Sequence, residues 1–328
     1  MTPRRHTAEH TLDVAARPEV LYELVADAAA WPAVFGPTVH VRHLERGDRA
    51  ERFRIWATVN GAVSDWTSRR TLDPEGLRVT FRQERSRAPI AAMGGEWRFE
   101  PRPGGGTRLV LLHDFAAEDD DPETVRWIRA ALDRNSAAEL DALARVAELG
   151  HPAREVVLTF TDTLRFPGAV SDAYAFVHRA DLWARRLPHV SRVRLTEEPP
   201  GVQDLEMDTV TADGSAHTTR SVRVCEEPSW IAYKQRITPR LLLGHSGLWE
   251  FAPGGDGTTV ATARHTVLLD PSAVPEVLGA GRTLADARAH VRDALGRNSL
   301  ATLRHAAAFA ASASESASES ASGAGTSA

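Results

Sequence analysis

One cysteine, Cys225, occurs in 328 residues, which excludes an intrachain disulfide and any thiolate zinc cluster. Its setting, "SVRVCEE", reads as a strand, where a lone thiol packs. Lysine is equally scarce: Lys234 is alone among 39 basic residues, so Schiff-base chemistry has a single candidate with nothing around it to suggest a desolvated amine. The basic excess of a nucleic-acid binder is missing, since the net charge is -5. No apolar run approaches the roughly 20 residues that cross a bilayer, and "MTPRRHTAEH" has no apolar stretch of the secretory kind. These absences point to a cytoplasmic protein with neither nucleic-acid nor membrane partners. What remains is a globular composition, 42% apolar and 25% charged, in a length that fits two domains of ordinary size.

The chain repeats itself. "GGEWRFEPRPGGGTRLVLLHDF" and "SGLWEFAPGGDGTTVATARHTV" align without a gap, pairing Trp97 with Trp249, Phe99 with Phe251, Pro101 with Pro253, Thr107 with Thr259 and His113 with His265. Trp31 and Trp183, and Gln83 and Gln235, keep the same spacing of 152 residues. An Arg-Asn-Ser tripeptide closes each half, with Asn135 and Asn298 standing 163 apart. The second half therefore carries about eleven extra residues, and "LLDPSAVPEVLGAG" reads as the loop that holds them. Two copies of this size make a tandem duplication, with domains over 1–150 and 151–311. The Ser/Ala-rich tail, 312–328, is expected to be disordered.

Within each half the order is a strand ("HTAEHTLDV"), a helix ("RPEVLYELVADAAAWPAVF"), a run of antiparallel strands and a long final helix. Asn60-Gly61 between two alternating runs signals a two-residue hairpin. "HLERGDRAERF" reads as a solvated charged turn, and His40 and His43 fall on opposite faces of a strand, which disfavours a metal site. "RPGGGT" and "PGGDGT" lead into strands, so they are hairpin turns and not phosphate loops. The unit is α+β, a curved antiparallel sheet around one long helix, and such a unit tends to leave an interior cavity.

The alternation in "SDWTSRRTLD" puts Trp66, Ser68 and Arg70 on one face. With the Gly-x-Trp-x-Phe-x-Pro strand, the Arg-Asn-Ser helix and the duplication, this resembles the didomain aromatase/cyclases of bacterial type II (aromatic) polyketide pathways, over about residues 5–311. The resemblance implies a helix-grip fold of the START and Bet v 1 kind. It implies binding of a poly-β-ketone tethered through phosphopantetheine to an acyl carrier protein, beside other polyketide synthase components. First-ring closure between carbons 7 and 12 of a ketoreduced chain, then dehydration to an arene, would follow without metal or cofactor. Residue by residue, it implies Arg70, Ser68 and His113 as the reacting set and Trp31, Trp66, Trp97 and Asn135 as substrate contacts. Their counterparts in the second half are Ser221, Arg223, Trp183, Trp249, His265 and Asn298, with Thr219 in place of the triplet's tryptophan.

On chemical grounds Arg70, protonated throughout the accessible pH range, suits an enolate or alkoxide oxygen as an oxyanion donor, with proton donation as the lesser reading. His113, with an ordinary pKa near 6.5, is the better proton carrier. Ser68 would hold a water or a substrate hydroxyl, and the tryptophans would wall the pocket. The competing reading is a non-catalytic binder of a lipid or hydrophobic metabolite in the same cavity, since the fold class hosts many.

Overall fold

The computed structural model describes residues 4–59, 61–86, 88–210 and 216–323. Asn60, half of the expected hairpin signal, lies outside the described residues, while Gly61 beside it has φ 85°, the left-handed conformation such a turn demands. The chain divides into two compact units, 1–157 and 158–328.

The first unit runs β1 (His6–Val14), α1 (Pro18–Ala26), α2 (Trp31–Val34), β2 (Thr38–Arg46), β3 (Ala50–Val59), β4 (Ala62–Asp73), β5 (Arg78–Gln83), β6 (Ile90–Pro101), β7 (Thr107–Ala117), α3 (Pro122–Ala147) and α4 (Ala153–Val156). The second runs β8 (Val157–Pro167), α5 (Val170–His178), α6 (Trp183–Arg186), β9 (Val190–Glu197), β10 (Val202–Val210), β11 (Ala216–Glu226), β12 (Trp230–Ile237), β13 (Leu242–Pro253), β14 (Thr258–Leu269), α7 (Val274–Leu278) and α8 (Leu284–Gly323). Each unit holds one antiparallel seven-stranded sheet, β1-β7-β6-β5-β4-β3-β2 in the first and β8-β14-β13-β12-β11-β10-β9 in the second. The α+β helix-grip architecture expected from the sequence is therefore present twice.

Alternation along the strands sets the inner face. On β7, Leu109, Leu111 and Phe115 are buried and share their side with His113; on β6, Trp97 and Phe99 do the same. Against this face α3 lays Ile128 and Leu132, which pack with Ala8, Met93 and Phe115. Asp121 caps α3 by accepting from the backbone N–H groups of Glu123 and Thr124. The repeated threonines have a structural reason: Thr107 Oγ1 donates to Ala16 O at 2.6 Å and Thr259 Oγ1 to Gly168 O at 2.7 Å, tying each last strand to the turn that follows the first.

Four expectations change. The single helix read over residues 17–35 is two, because α1 ends at Ala26 and Trp31 starts a separate turn with Pro32 inside it. The carbonyls of Val25 and Ala26, which the next turn would have used, are instead taken by Arg70. The charged run "HLERGDRAERF" is not all solvated turn, since its Glu51 lies on β3 and is buried. In the second unit "LLDPSAVPEVLGAG" contains the short helix α7. Finally, α8 continues through the tail expected to be disordered as far as Gly323; alanine is the best helix former, and no glycine or proline interrupts the stretch before that residue.

Arg70→Met would leave Glu51 buried without its cation, so the first unit should lose roughly 3–5 kcal/mol, read from urea unfolding. Arg69→Ala, which removes a solvent-exposed partner of Glu84 on the other face of the same strand, should change stability by less than about 1 kcal/mol.

Candidate functional site

Trp66, Ser68 and Arg70 do share the inner face of β4, but the arginine is 1% exposed and held by the protein through all three guanidinium nitrogens. Strand register brings Glu51 of β3 opposite Arg70. Arg70 Nε donates to Glu51 Oε1 at 2.8 Å, a second guanidinium nitrogen contacts the same oxygen, and the terminal nitrogens donate to Val25 O and Ala26 O at 2.7 Å each. Its plane lies over Trp31, 4.6 Å from the ring centroid, and near Phe53 at 5.2 Å. Burial pushes the Glu51 carboxyl up, yet hydrogen bonds from His43 and Arg70 together hold it below the usual carboxylate range. Arg70 is thus a latch between sheet and α1, with four of the five N–H donors that the oxyanion role read from the sequence would draw on already committed. Glu51 was missed because it sits in a charge run that looks solvated.

The tryptophans divide. Trp31 belongs to the latch, its Nε1–H donating to Val25 O at 3.1 Å, and Trp97 is buried in the sheet's inner face. Trp66 remains half-buried beside Phe53 and Ile55. Ser68 is buried, with its hydroxyl 3.4 Å from Arg82 O. Asn135 is exposed, and so is Asn298, so neither contacts an interior ligand. One residue along a helix is a turn of about 100°, and the neighbours Ser136 and Ser299 are the ones buried.

His113 is where the sequence placed it, on the inner face opposite Ala8 and Gly95, with Phe81 edge-on at 5.6 Å and His10 at 6.3 Å between centroids. The interior around it holds unanswered polar atoms. His113 Nδ1, His10 Nδ1 and Ser136 Oγ are all buried without a hydrogen-bond partner. Burial, aided by His10 and opposed by Asp114, pushes the His113 imidazole down to about 4, so its base form is fully populated at neutrality. Glu139, one turn on from Ser136, keeps some accessible surface although protein encloses it, and burial pushes its carboxyl up to about 7. Buried polar atoms without partners are what a bound polar substrate would satisfy. A hollow of about 500 Å³ is lined by outer-face residues such as Arg69, Thr80 and Arg82, which pairs with Asp114, and also by Phe81, Gly95 and His113.

The second unit repeats the latch with a change. Arg223, 2% exposed, donates to Val177 O at 2.7 Å and packs over Trp183 at 5.5 Å, but the residue opposite it in register is Gln203, not a glutamate. Gln203 Nε2 donates to Glu197 at 2.8 Å, while its Oε1 is buried without a partner. Ser221 and Trp249 are buried on the same inner face. His265 is not orphaned: its Nε2 lies 2.6 Å from Ser299 Oγ and its Nδ1 3.0 Å from His245 Nε2. Neither His245 nor the adjacent Tyr233 was singled out from the sequence, although aligning the repeat would have set them against Met93 and Phe81. Among the described residues no three His, Cys, Asp or Glu side chains are grouped to hold a metal ion.

Residues 5–148 match the family model described as polyketide cyclase / dehydrase and lipid transport. The granaticin polyketide synthase bifunctional cyclase/dehydratase of Streptomyces violaceoruber is 60% identical over 93% of this chain and 94% of its own length. The corresponding actinorhodin protein of Streptomyces coelicolor is 56% identical over 95% and 99%. Among solved structures, the di-domain ARO/CYC of the BE-7585A biosynthetic pathway superposes with a TM-score of 0.77 at 48% identity, covering 93% of this chain and 98% of that one. The di-domain ARO/CYC of the steffimycin pathway gives 0.78 at 38%, covering 94% and 99%.

His113 and His265 stay neutral in the fold down to about pH 4, whereas an unfolded imidazole takes its proton near pH 6.5. Between those values the unfolded chain binds more protons, so stability is full above about pH 6.5 and falls as the pH drops, by on the order of 3 kcal/mol per histidine. Urea midpoints measured across this range should decline, and the decline should be shallower in His265→Gln.

Proposed function

The chain belongs to the family of polyketide synthase bifunctional cyclase/dehydratases, and from that premise we propose that it directs first-ring aldol closure, between carbons 7 and 12, of a ketoreduced poly-β-ketone held on an acyl carrier protein in the cytoplasm, and then dehydrates the ring towards an arene. The observation that carries the reading is the unpaired, enclosed His113 Nδ1 in the first unit.

A methylene between two carbonyls is acidic and the carbonyls are electrophilic, so such chains cyclise unaided in several ways. The protein's first contribution is to hold one fold of the chain, a matter of interior shape. His113 then removes a methylene proton. An imidazolium is costly in this interior, as its lowered pKa states, so the proton moves readily only where an enolate forms beside it. The enolate carbon attacks the facing carbonyl, a carbon–carbon bond forms, and the new alkoxide takes the proton back. Ser136 Oγ, buried and unpartnered, is placed to donate to a developing oxygen, the part that Arg70 cannot fill. Half-buried Trp66 offers a flat wall to the chain as it becomes planar.

Purified protein added to a minimal polyketide synthase with a ketoreductase should collapse the spontaneous mixture to one first-ring product. His113→Asn should reduce that product at least about tenfold, the usual scale for a lost general base, while its unfolding transition persists. An unchanged mixture with the wild-type chain, together with tight binding of a lipid, would instead identify a carrier of hydrophobic metabolites.

A further inference from the structure

The two interiors are built on one plan and differ at aligned positions. In the first unit Phe81 faces Gly95 across the β5–β6 ladder; in the second, Tyr233 faces Gly247, and a side chain on Gly247 would collide with the phenol ring. Met93, in register with Phe115, becomes His245, in register with Val267. The orphaned polar atoms of the first unit are replaced by a continuous chain: Ser299 Oγ to His265 Nε2 at 2.6 Å, His265 Nδ1 to His245 Nε2 at 3.0 Å, and His245 Nδ1 to Gln235 Oε1 at 2.9 Å. Tyr233 Oη lies beside its middle, 3.2 Å from His265 Nδ1 and 3.5 Å from His245 Nε2.

The direction of this chain follows from its end. An amide oxygen only accepts, so the hydrogen of neutral His245 is on Nδ1 and its Nε2 is bare. His265 therefore donates from Nδ1, and its own bare Nε2 takes the single Ser299 hydroxyl hydrogen at 2.6 Å in competition with Leu295 O, 2.9 Å from the same oxygen. Burial keeps both imidazoles neutral. The Tyr233 oxygen shares the one His265 Nδ1–H with His245 Nε2 in a three-centre hydrogen bond, so it accepts there, and the one lone pair of His245 Nε2 is already used. The phenolic hydrogen is left free to point into the interior. Tyr233 keeps accessible surface, whereas His245, His265 and Ser299 behind it are buried. Burial pushes the Tyr233 phenol up and Arg223 opposes this, so it gives its proton only to an oxygen that is leaving with its electrons, and the phenolate then draws on the shared His265 Nδ1–H.

We propose that the second unit holds its own acid site, in which Tyr233 expels water from a cyclic β-hydroxy ketone, the chemical class that an aldol closure produces. In the enol form of that ring the enol oxygen's electrons re-form the carbonyl, the carbon–carbon double bond shifts, and the carbon–hydroxyl bond breaks. The departing oxygen takes the Tyr233 proton and leaves as water. The phenolate, held by His265 Nδ1–H, regains a proton from the enol hydroxyl, so one water leaves and no other reactant is needed.

The proposal rests on the cyclase/dehydratase reading, and Tyr233→Phe in the full chain separates the two. Phenylalanine is the residue at the aligned position of the first unit, so the variant keeps a side chain this fold already accommodates. In the reconstituted synthase followed by mass spectrometry, Tyr233→Phe should still close the ring but accumulate a product one water heavier, lowering the ratio of dehydrated to hydrated ring at least about tenfold. His113→Asn should lose ring closure itself without building up the hydrated ring. If the wild-type chain leaves the spontaneous mixture unchanged, the underlying reading fails. If the wild type directs the products and Tyr233→Phe matches it, only the second site is overturned.

Discussion

Each unit depends on a buried guanidinium that reaches across from the sheet to the end of the first helix. In the first unit Arg70 binds Glu51 on the neighbouring strand and adds a charged donor to the carbonyls of Val25 and Ala26, which also accept from Trp31 Nε1 and the Ala28 N–H at the end of α1. A cation at a helix C-terminus is also favoured by the helix dipole. The latch stops the helix, turns the chain into Trp31 and seats that indole against the guanidinium. On the inner face covered by α1 and α3, His113 stands among large apolar side chains such as Trp97, Leu111 and Phe115. His113 Nδ1 and Ser136 Oγ are buried polar atoms of that interior that lack a partner.

Much of this was legible in the sequence. Spacing alone exposed the duplication, and alternation placed Trp66, Ser68, Arg70 and His113 on inner faces. What alternation cannot say is whether an inward arginine faces a ligand or another part of the protein. That depended on Glu51, nineteen residues away in a run of charges, and on two backbone carbonyls that carry no sequence signal. Asn135 failed for a different reason: on a helix a shift of one residue rotates the side chain by about 100°, so a recurring Arg-Asn-Ser marks the region while Ser136 is the residue that points in. Tyr233 and His245 were hidden because attention to what the two halves share passes over what they do not.

The units show how duplication permits divergence. The latch is retained as Arg223 and its carbonyls, but Gln203 stands opposite it in place of a carboxylate and turns its amide N–H to Glu197. With the fold secured, the interiors were free to differ. One keeps buried polar atoms without partners, a cost that persists where a ligand answers it. The other joins its polar atoms into a directed chain of hydrogen bonds. Two chemically unlike interiors in one chain suit a pathway step in which a bond is formed and a water is then removed.

The central claim is that Arg70 holds the fold and does not take part in the reaction. Replacing a buried ion pair by apolar side chains of similar size is often tolerated, whereas removing one partner is not. The decisive measurement is therefore the product distribution of the double variant Arg70→Met with Glu51→Leu in the reconstituted synthase, taken on protein shown to unfold cooperatively. The account predicts that ring closure stays directed to the wild-type product. A folded double variant that yields the spontaneous mixture would contradict it and return the guanidinium to the chemistry.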